Sequence, residues 1–346
     1  MDRFYFDANA TTPPLPSVVR VMERAQRELW ANPTSTHREG QAARAAIEEA
    51  RRSIALNLEV PPSQVVFCAS ATEALHLLIG GLDESLRFMP AVVNPGEHSA
   101  CLNPLRAWAN VRWLPCDFSS AATIVQMAAN NESGILSGMP QAAGAVRIKD
   151  CCQAWGKVAV DLTDCDAAVF SGHKMGGPRG TALLWMRPEL PWKPIMEGPQ
   201  ERRRRGGTED TAAILGLAEA VNHLTERLAE NALLESLRDA MEAEVTSWSQ
   251  DFEIIGKGLP RLPNTSSMLL RGHNGEAVHM AMDLTGFAIS TGSACHSGAT
   301  KPSHAIMALG YSEAEARQVI RISMLPGTEE ASVQRLLDAL KKIIKR

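Results

Sequence analysis

Short apolar runs alternate with helix-like stretches through the first two thirds of this chain. The runs that we predict as strands, rich in β-branched and small apolar residues, are Val65–Phe67, Ala91–Val93, Ala121–Ala129, Val158–Val160, Ala167–Phe170 and Ala182–Met186. The predicted helices between and before them are Ser17–Trp30, Arg38–Leu56, Thr72–Leu78 and Ser99–Trp108. Such alternation predicts an α/β domain with a mostly parallel sheet, because helices must cover both faces of that kind of sheet.

The pattern changes in the last third of the chain. Leu215–Trp248 is one helical stretch rich in Ala, Leu and Glu, which suits a connection between two lobes. The elements predicted after it are strands near 266–270, 288–290 and 319–323 and a last helix from about Glu329. Because 346 residues exceed the usual length of one compact domain, we expect two. They are a large domain at 14–230 and a smaller α+β domain made of 1–13 and 231–346.

Composition excludes several classes of protein. Hydrophobic residues make up 45% and charged residues 21%, which is typical of a globular chain and excludes a mainly disordered or collagen-like one. The net charge of -4 creates no field that would attract nucleic acid, so we expect no direct nucleic-acid partner. With no apolar run of membrane-spanning length and no secretory signal, we expect a cytoplasmic protein without a membrane partner. Seven irregularly spaced cysteines lack C-x-x-C pairs, so no metal site is expected.

The segment Phe170–Pro178 carries the densest set of reactive side chains. A predicted strand ends there, and a Gly-rich turn follows that contains Ser171, His173 and Lys174. A lysine in such a turn can form a Schiff base with an aldehyde cofactor, and the neighbouring Ser and His can donate hydrogen bonds to a phosphate. Taken alone, the motif is equally typical of a surface loop with a solvated lysine.

Two further motifs fit a cofactor of this kind. A carboxylate at Asp150 can pair with a protonated pyridine nitrogen, and Gln153 can hydrogen-bond a ring hydroxyl. The junction Ala69–Ala74 offers backbone N–H groups and the Thr72 hydroxyl to an anion. Taken singly, the first motif is also typical of a helix cap and the second of an ordinary helix N-terminus.

Two single residues complete the candidate set. His98 follows a predicted strand, and its imidazole can stack on a flat ring, although a lone histidine is more often structural. Cys295 lies in the small-residue loop Thr291–Gly298, without the apolar flanks of the cysteines in strands. It is therefore the best candidate for a nucleophilic thiol.

Together these motifs resemble the cysteine desulfurases of the class-V aminotransferase family, the group that serves nitrogenase and iron–sulfur cluster assembly. The resemblance runs from Phe4 to the C-terminal helix. The segments that carry it are Phe6–Pro13, Asn32–His37, Ala71–Ala74, Glu97–His98, Asn130–Gly134, Asp150–Gln153, Ser171–Lys174, Glu201–Arg202, Arg205–Thr208, Gly292–Cys295 and Ile320–Ser323. It implies an aspartate-aminotransferase-like fold (fold type I) and pyridoxal 5′-phosphate as the cofactor.

The resemblance also implies how the cofactor is held. Lys174 binds it covalently, Asp150 pairs with the pyridine nitrogen, and His98 stacks over the ring. Gln153 and Asn131 contact the ring oxygen. The residues that bind the phosphate are Ala71, Thr72, Ser171, His173 and, from the other subunit of a homodimer, Thr208.

The implied reaction converts L-cysteine to L-alanine. Arg321 grips the substrate carboxylate and Asn131 also contacts the substrate, while Lys174 and His98 are the proton carriers. Cys295 receives the sulfur as a persulfide. A sulfur-acceptor protein is then an expected partner, for iron–sulfur cluster assembly or for tRNA thiolation. The alternatives are selenocysteine lyase, another enzyme of this fold, or a noncatalytic sulfur-transfer partner.

Three departures from the family pattern stand out. Ser137 replaces a Gln, and the segments before Asn130 and before Asp150 are too short for the family's helices, so we expect one flank to lack helices. Glu197–Glu201 replaces a run of glycines, and Arg202–Arg205 is unusually basic. We favour ion pairing over a docking patch as the interpretation of this arginine run.

Overall fold

The computed structural model describes residues 3–291 and 301–345. The chain divides into two compact units. The large unit comprises residues 13–128 and 138–225, and the small unit comprises residues 1–12, 129–137 and 226–346. The segment 129–137, which we expected within the domain at 14–230, packs with the small unit.

Helices and strands alternate along the described residues much as the pattern predicts. The helices are α1 Pro16–Glu28, α2 Arg38–Asn57, α3 Ala71–Gly81, α4 Ser99–Leu105, α5 Thr211–Asn222, α6 Leu224–Ser247, α7 Gly275–Leu284, α8 His304–Ala308, α9 Glu313–Ala316 and α10 Glu330–Ile344. The strands are β1 Phe4–Tyr5, β2 Val65–Cys68, β3 Ala91–Val93, β4 Val111–Trp113, β5 Thr123–Met127, β6 Val146–Asp150, β7 Ala167–Ser171, β8 Ala182–Met186, β9 Phe252–Ile254, β10 Thr265–Leu270, β11 Phe287–Ala288, β12 Ser290–Thr291 and β13 Val319–Ser323.

The large unit is built on a seven-stranded sheet in the order β2-β8-β7-β6-β5-β3-β4. Strand β8 is antiparallel to both of its neighbours, and the other adjacent pairs are parallel. Alternate side chains of a strand enter two apolar clusters, with Val65 and Phe67 in one and Val66 in the other. Helices α1, α2 and α5 contribute to the first cluster, and α3 and α4 to the second. The prediction of an α/β fold with a mostly parallel sheet is confirmed.

The strand predicted at Val158–Val160 is wrong, because these residues form neither helix nor strand. The strand of this region is β6, which ends at Asp150 rather than following it. The sequence pattern missed β6 because this strand contains the charged residues Arg147, Lys149 and Asp150. Lys149 is only 6% exposed, yet its ammonium bonds the Asp161 carbonyl at 2.7 Å and the Asp164 carboxylate. A long stem can thus be buried while its charged end is satisfied.

Two further predictions need correction in detail. The stretch Leu215–Trp248 is not one helix but α5 and α6, which are separated at His223. The first helix begins at Pro16 rather than being capped by Ser17, and its N-cap is Leu15. Proline suits this first position because its missing N–H would have no partner there.

Three connections of the large sheet contain no helix. They are residues 114–122, between β4 and β5, residues 128–145, between β5 and β6, and residues 151–166, between β6 and β7. Parallel strands are usually joined by helices. Here loop side chains such as Phe118 and Met139 pack against Val92 and Ile124 of the sheet instead. The expected lack of helices on this flank is confirmed in the part of the chain that the structure describes.

The small unit contains a four-stranded antiparallel sheet in the order β12-β13-β10-β9 and a parallel pair, β1 and β11. Its apolar core includes Met241 from α6, Met282 from α7 and Leu336 from α10. The strand predicted near 288–290 is divided into β11 and β12, which lie on either side of Ile289. In the described ranges 3–291 and 301–345, no helix is long and apolar enough to cross a membrane.

A buried ion pair holds a strained turn in the large unit. Arg51 on α2 donates from Nη1 and Nη2 to the two carboxylate oxygens of Glu201, at 2.7 and 2.9 Å. One of these oxygens also accepts the Phe67 backbone N–H at 2.8 Å. Glu201, Arg202 and Arg203 have φ angles of 48°, 58° and 65°, a left-handed conformation that is costly for L residues. The ion pair therefore stabilises a turn whose backbone is locally strained.

The other arginines of this run are largely tied to the large unit. Arg202 bonds Glu48 at 3.0 Å, Arg204 donates to the Ser63 carbonyl, and Arg205 bonds Glu73 at 2.6 Å. Arg203 is exposed. These contacts support ion pairing as the interpretation of the basic run.

We expect Glu201→Ala to lower the free energy of unfolding by about 3–5 kcal/mol, because it leaves the Arg51 guanidinium buried without its partner. Urea unfolding of the apoprotein, followed by far-UV circular dichroism, measures the change. The control is Glu23→Ala, which removes an exposed pair with Arg27 and should cost less than about 1 kcal/mol. Equal losses in the two variants would contradict a structural role for the buried pair.

Candidate active site

The carboxyl ends of the parallel strands of the large unit lie at one edge of its sheet. Strand β6 ends at Asp150 and its neighbour β7 ends at Ser171, with Lys174 three residues later. Strand β3 ends shortly before His98. This edge is where open α/β sheets bind their ligands.

Asp150 and Lys174 face a common region at this edge. Asp150 is 6% exposed, and its Oδ1 accepts the Cys152 backbone N–H at 2.9 Å. Burial and the Asp150 charge raise the pKa of the Cys152 thiol, while the Lys174 charge acts to lower it. The Cys152 thiol therefore lies near both Asp150 and Lys174, which belong to separate motifs of the sequence.

Gln153 lies in the turn that follows Asp150. It is buried, and its Oε1 accepts a hydrogen bond from the Lys157 ammonium at 2.6 Å. Lys157 is itself only 4% exposed. The sequence analysis gave this lysine no role.

The N-terminus of α3 fits the predicted anion site. Ala71 and Thr72 lie in its first turn, and the Ser70 side chain caps the helix by accepting the Glu73 N–H at 3.1 Å. Glu73 in turn accepts the Ala69 N–H at 2.6 Å and pairs with Arg205. N–H groups without intrahelical partners attract anions at such an end.

Two more predicted phosphate ligands lie at the end of β7. The Ser171 residue is 3% exposed, and His173 lies in the turn that leads to Lys174. Burial, followed by the charge of Lys174, lowers the pKa of His173 to about 4. The imidazole is therefore neutral near pH 7 and can donate a hydrogen bond without adding charge.

His98 is held by its own helix. It is the N-cap of α4, and its Nδ1 accepts the Ala100 backbone N–H at 3.1 Å. Because the accepting Nδ1 carries no proton, the proton of the neutral ring lies on Nε2.

Glu97 is a buried acid beside the candidate site. It is fully buried and accepts the Met127 backbone N–H at 2.5 Å. Burial, and next the charge of Asp150, raise the pKa of Glu97 well above its ordinary value. Burial therefore favours the protonated form of the Glu97 carboxyl.

In the small unit, Arg321 on β13 is 3% exposed and held on two sides. Its Nη1 donates to the Asn131 carbonyl at 2.9 Å, and its Nη2 to the Asp7 carboxylate at 2.5 Å. The Asn9 side chain donates to the same Asn131 carbonyl at 3.1 Å. The structure thus brings together Arg321 and Asn131, the two residues predicted to contact substrate.

The remaining predicted residues are Thr208 and Cys295. Thr208 is exposed in the large unit, and Cys295 lies outside the described residues. After the segment that contains Cys295, the chain is anchored in the small unit where Ser303 donates to the buried Glu132 carboxyl. Among residues 3–291 and 301–345, no group of three or more His, Cys, Asp or Glu is arranged to hold a metal ion.

Sequence reasoning gave no role to Asp7 in the small unit or to Glu97 and Lys157 in the large unit. All three lie inside or next to quoted motifs, but a motif shows neither burial nor distant partners. Asp7 meets Arg321 across 314 positions of the chain, which no local pattern indicates. The available signal for Glu97 was its carboxyl directly after the short turn, residues 94–96, that follows the buried strand β3.

We expect Glu97→Gln to match the wild-type free energy of unfolding within about 1 kcal/mol at pH 5, because Gln also accepts the Met127 N–H. The unfolded acid ionises above pH about 4.5, whereas the folded acid stays protonated. Raising the pH from 5 to 8 should therefore destabilise wild type relative to Glu97→Gln. Denaturant unfolding of the apoproteins at both pH values tests this trend, with the exposed Glu84→Gln as a control that should show none. A pH-independent difference would mean that Glu97 is ionised in the folded protein.

Comparison with known proteins agrees with the motif analysis. The family model described as aminotransferase class-V matches residues 4–336. The "IscS-like cysteine desulfurase" of Mycobacterium tuberculosis is 34% identical, over 99% of this chain and 96% of that protein. A "Cysteine desulfurase" of Cereibacter sphaeroides is 32% identical, over 99% and 96% of the two chains.

Solved structures show the same likeness. A "NIFS-like protein" superposes with a TM-score of 0.89 at 28% identity, covering 99% of each chain. A structure described as "SspA in complex with cysteine" superposes with a TM-score of 0.76 at 28% identity, covering 93% of this chain and 99% of that one. From the match over nearly its whole length, the chain belongs to the class-V aminotransferase family.

Proposed function

We propose that this protein is a pyridoxal 5′-phosphate-dependent cysteine desulfurase that converts L-cysteine to L-alanine and transfers the sulfur to Cys295. The observation that carries the proposal is the position of Asp150 and Lys174 near one thiol, Cys152, after adjacent parallel strands at one edge of the sheet. It occurs in a chain whose full-length relatives are named cysteine desulfurases.

The chemistry of the donor set fits pyridoxal phosphate. A buried carboxylate, Asp150, suits the protonated ring nitrogen, and Lys174 supplies the primary amine. The α3 N-terminus, Ser171 and the neutral His173 suit a phosphate. When bound, the cofactor supplies an electron sink that lets the substrate lose its Cα proton.

Lys174 and His98 of the large unit are the proton carriers in this proposal. Lys174 takes and returns a proton at its amine, while His98 donates from Nε2–H, because its Nδ1 accepts the Ala100 N–H. Asp150 would supply the carboxylate that faces the ring nitrogen, and burial, followed by the Asp150 charge, raises the pKa of the neighbouring Glu97. Ser171, His173 and the first turn of α3 fix the phosphate end.

Arg321 of the small unit binds the substrate carboxylate in this proposal. Its Nε is buried and has no hydrogen-bond partner among the described residues, which leaves a donor for a ligand. A guanidinium suits a carboxylate because it can donate two parallel hydrogen bonds.

Cys295 carries out the sulfur step as a thiolate. It attacks the substrate sulfur, and the C–S bond breaks with its electron pair staying on the substrate carbon, which is protonated so that the remainder leaves as alanine. The sulfur remains on Cys295 as a persulfide. A sulfur-acceptor protein then takes this sulfur, for iron–sulfur cluster assembly or for tRNA thiolation. We also propose a homodimer, in which Thr208 contributes to the phosphate site of the other subunit.

The first experiment measures the absorbance spectrum of the purified holoenzyme and the alanine and sulfide formed from L-cysteine. We expect a visible cofactor band and alanine from wild type, and at least a hundredfold less alanine from Cys295→Ala, because the acceptor thiol is gone. Cys116→Ala, at a half-buried thiol of the large unit, is the matched control and should stay close to wild type.

Three outcomes would overturn the proposal. Wild type that binds no pyridoxal phosphate after reconstitution would exclude the cofactor, and equal activity in wild type and Cys295→Ala would exclude the persulfide step. A bound cofactor with selenocysteine but not cysteine turned over would assign the chain to a lyase of the same fold.

We expect Arg321→Lys to raise the KM for L-cysteine by about 10- to 100-fold, because a charged bidentate contact becomes a single one. Steady-state kinetics of the holoenzyme measure KM and kcat separately. The control is Arg238→Lys, another buried arginine of the small unit, whose Nη1 donates to the Leu262 carbonyl. If KM rises equally in both variants, Arg321 does not bind the substrate directly.

A further inference from the structure

Lys157 is a buried cation next to the candidate cofactor site. It ends the turn that begins after β6, and its backbone N–H donates to the Ala154 carbonyl at 3.0 Å. Its side chain points inward, since the residue is only 4% exposed and Nζ donates to Gln153 Oε1 at 2.6 Å. Burying an ammonium group is unfavourable unless it donates to acceptors, and the Gln153 oxygen is such an acceptor.

The contact determines which way the Gln153 amide points. An ammonium group can only donate hydrogen bonds, and therefore only the amide oxygen can face Lys157. The two N–H donors of Nε2 must then point away from that lysine. For most amides the two orientations are hard to tell apart, but here the charge of the neighbour decides.

Lys157 also lies near the predicted phosphate ligands. Burial is the largest cause that lowers the pKa of His173, and the Lys157 charge is among the further causes. The lysine therefore lies near both Gln153 and His173, and it is not on a solvent-facing side of the turn.

We infer that Lys157 is a positioning residue that orients the Gln153 amide so that its N–H donors face the ring oxygen of pyridoxal phosphate. This inference rests on the proposed function, in which Gln153 contacts that oxygen. A donated hydrogen bond stabilises the ionised ring oxygen, whereas an amide turned around would present a repelling carbonyl oxygen. Lys157 need not touch the cofactor to have this effect.

The test uses Lys157→Met, which keeps the length of the side chain but removes the donors. We expect the dissociation constant for pyridoxal phosphate, measured by titrating the apoprotein, to rise about tenfold. We also expect the pH midpoint of the visible band to rise. Without the amide N–H, the ring oxygen keeps more negative charge, and this charge raises the pKa of the protonated nitrogen next to it.

The matched control is Lys149→Met. Lys149 is a second buried lysine of the large unit, bonded to Asp161 and Asp164 and given no part in cofactor binding. This variant should lose stability but keep the wild-type dissociation constant and pH midpoint. An equal change in both lysine variants would mean that any buried lysine produces the effect, and would overturn the inference.

A double-mutant cycle separates positioning from direct action of the charge. In the background of Gln153→Leu, adding Lys157→Met should change the dissociation constant less than about twofold, since the amide to be oriented is gone. If the full effect of Lys157→Met persists there, Lys157 acts by its own charge and the inference is wrong.

Two safeguards keep the result interpretable. If Lys157→Met does not fold, Lys157→Gln replaces it. An amide side chain both donates and accepts, so it does not fix the orientation of Gln153, and the same changes in dissociation constant and pH midpoint are expected. If wild type binds no pyridoxal phosphate, the proposed function fails. If wild type binds it and Lys157→Met is indistinguishable from wild type, only the role of Lys157 fails.

Discussion

The candidate site of the large unit depends on one geometrical constraint, that parallel strands bring their carboxyl ends to a single edge of the sheet. Asp150 and Ser171 end adjacent strands, and Lys174 follows in the next turn. Helix α3 begins directly after β2, so its positive end is available near the same edge. Residues scattered over a hundred positions thereby form one set of donors, acceptors and an amine.

Buried charge is the second organising feature. Burial and the nearby Asp150 charge raise the pKa of Glu97, Lys157 donates to the Gln153 oxygen, and Arg321 is held by Asp7 and a backbone carbonyl. Each group would be costly to bury alone. The same contacts fix which atom each group leaves for a ligand, so stability and preorganisation have one physical origin.

Much of the fold and of the candidate site could be predicted from local pattern. Apolar runs identified most strands, and the Gly-rich turn identified Lys174. The pattern misplaced one strand because the charges in β6 resemble a loop until Lys149 is seen to reach Asp161. It also merged α5 and α6, since a break at one residue, His223, leaves the helical periodicity on either side intact.

The order of motifs alone determined the family and the identities of the candidate residues, because each motif is a short segment whose chemistry is local. Only the tertiary structure decided which atoms those residues present. The assignment of His98 Nε2, the raised pKa of Glu97 and the orientation of the Gln153 amide all follow from contacts and burial. A linear pattern contains neither, because the partners of a side chain, and the water removed from it, are fixed when distant segments pack together.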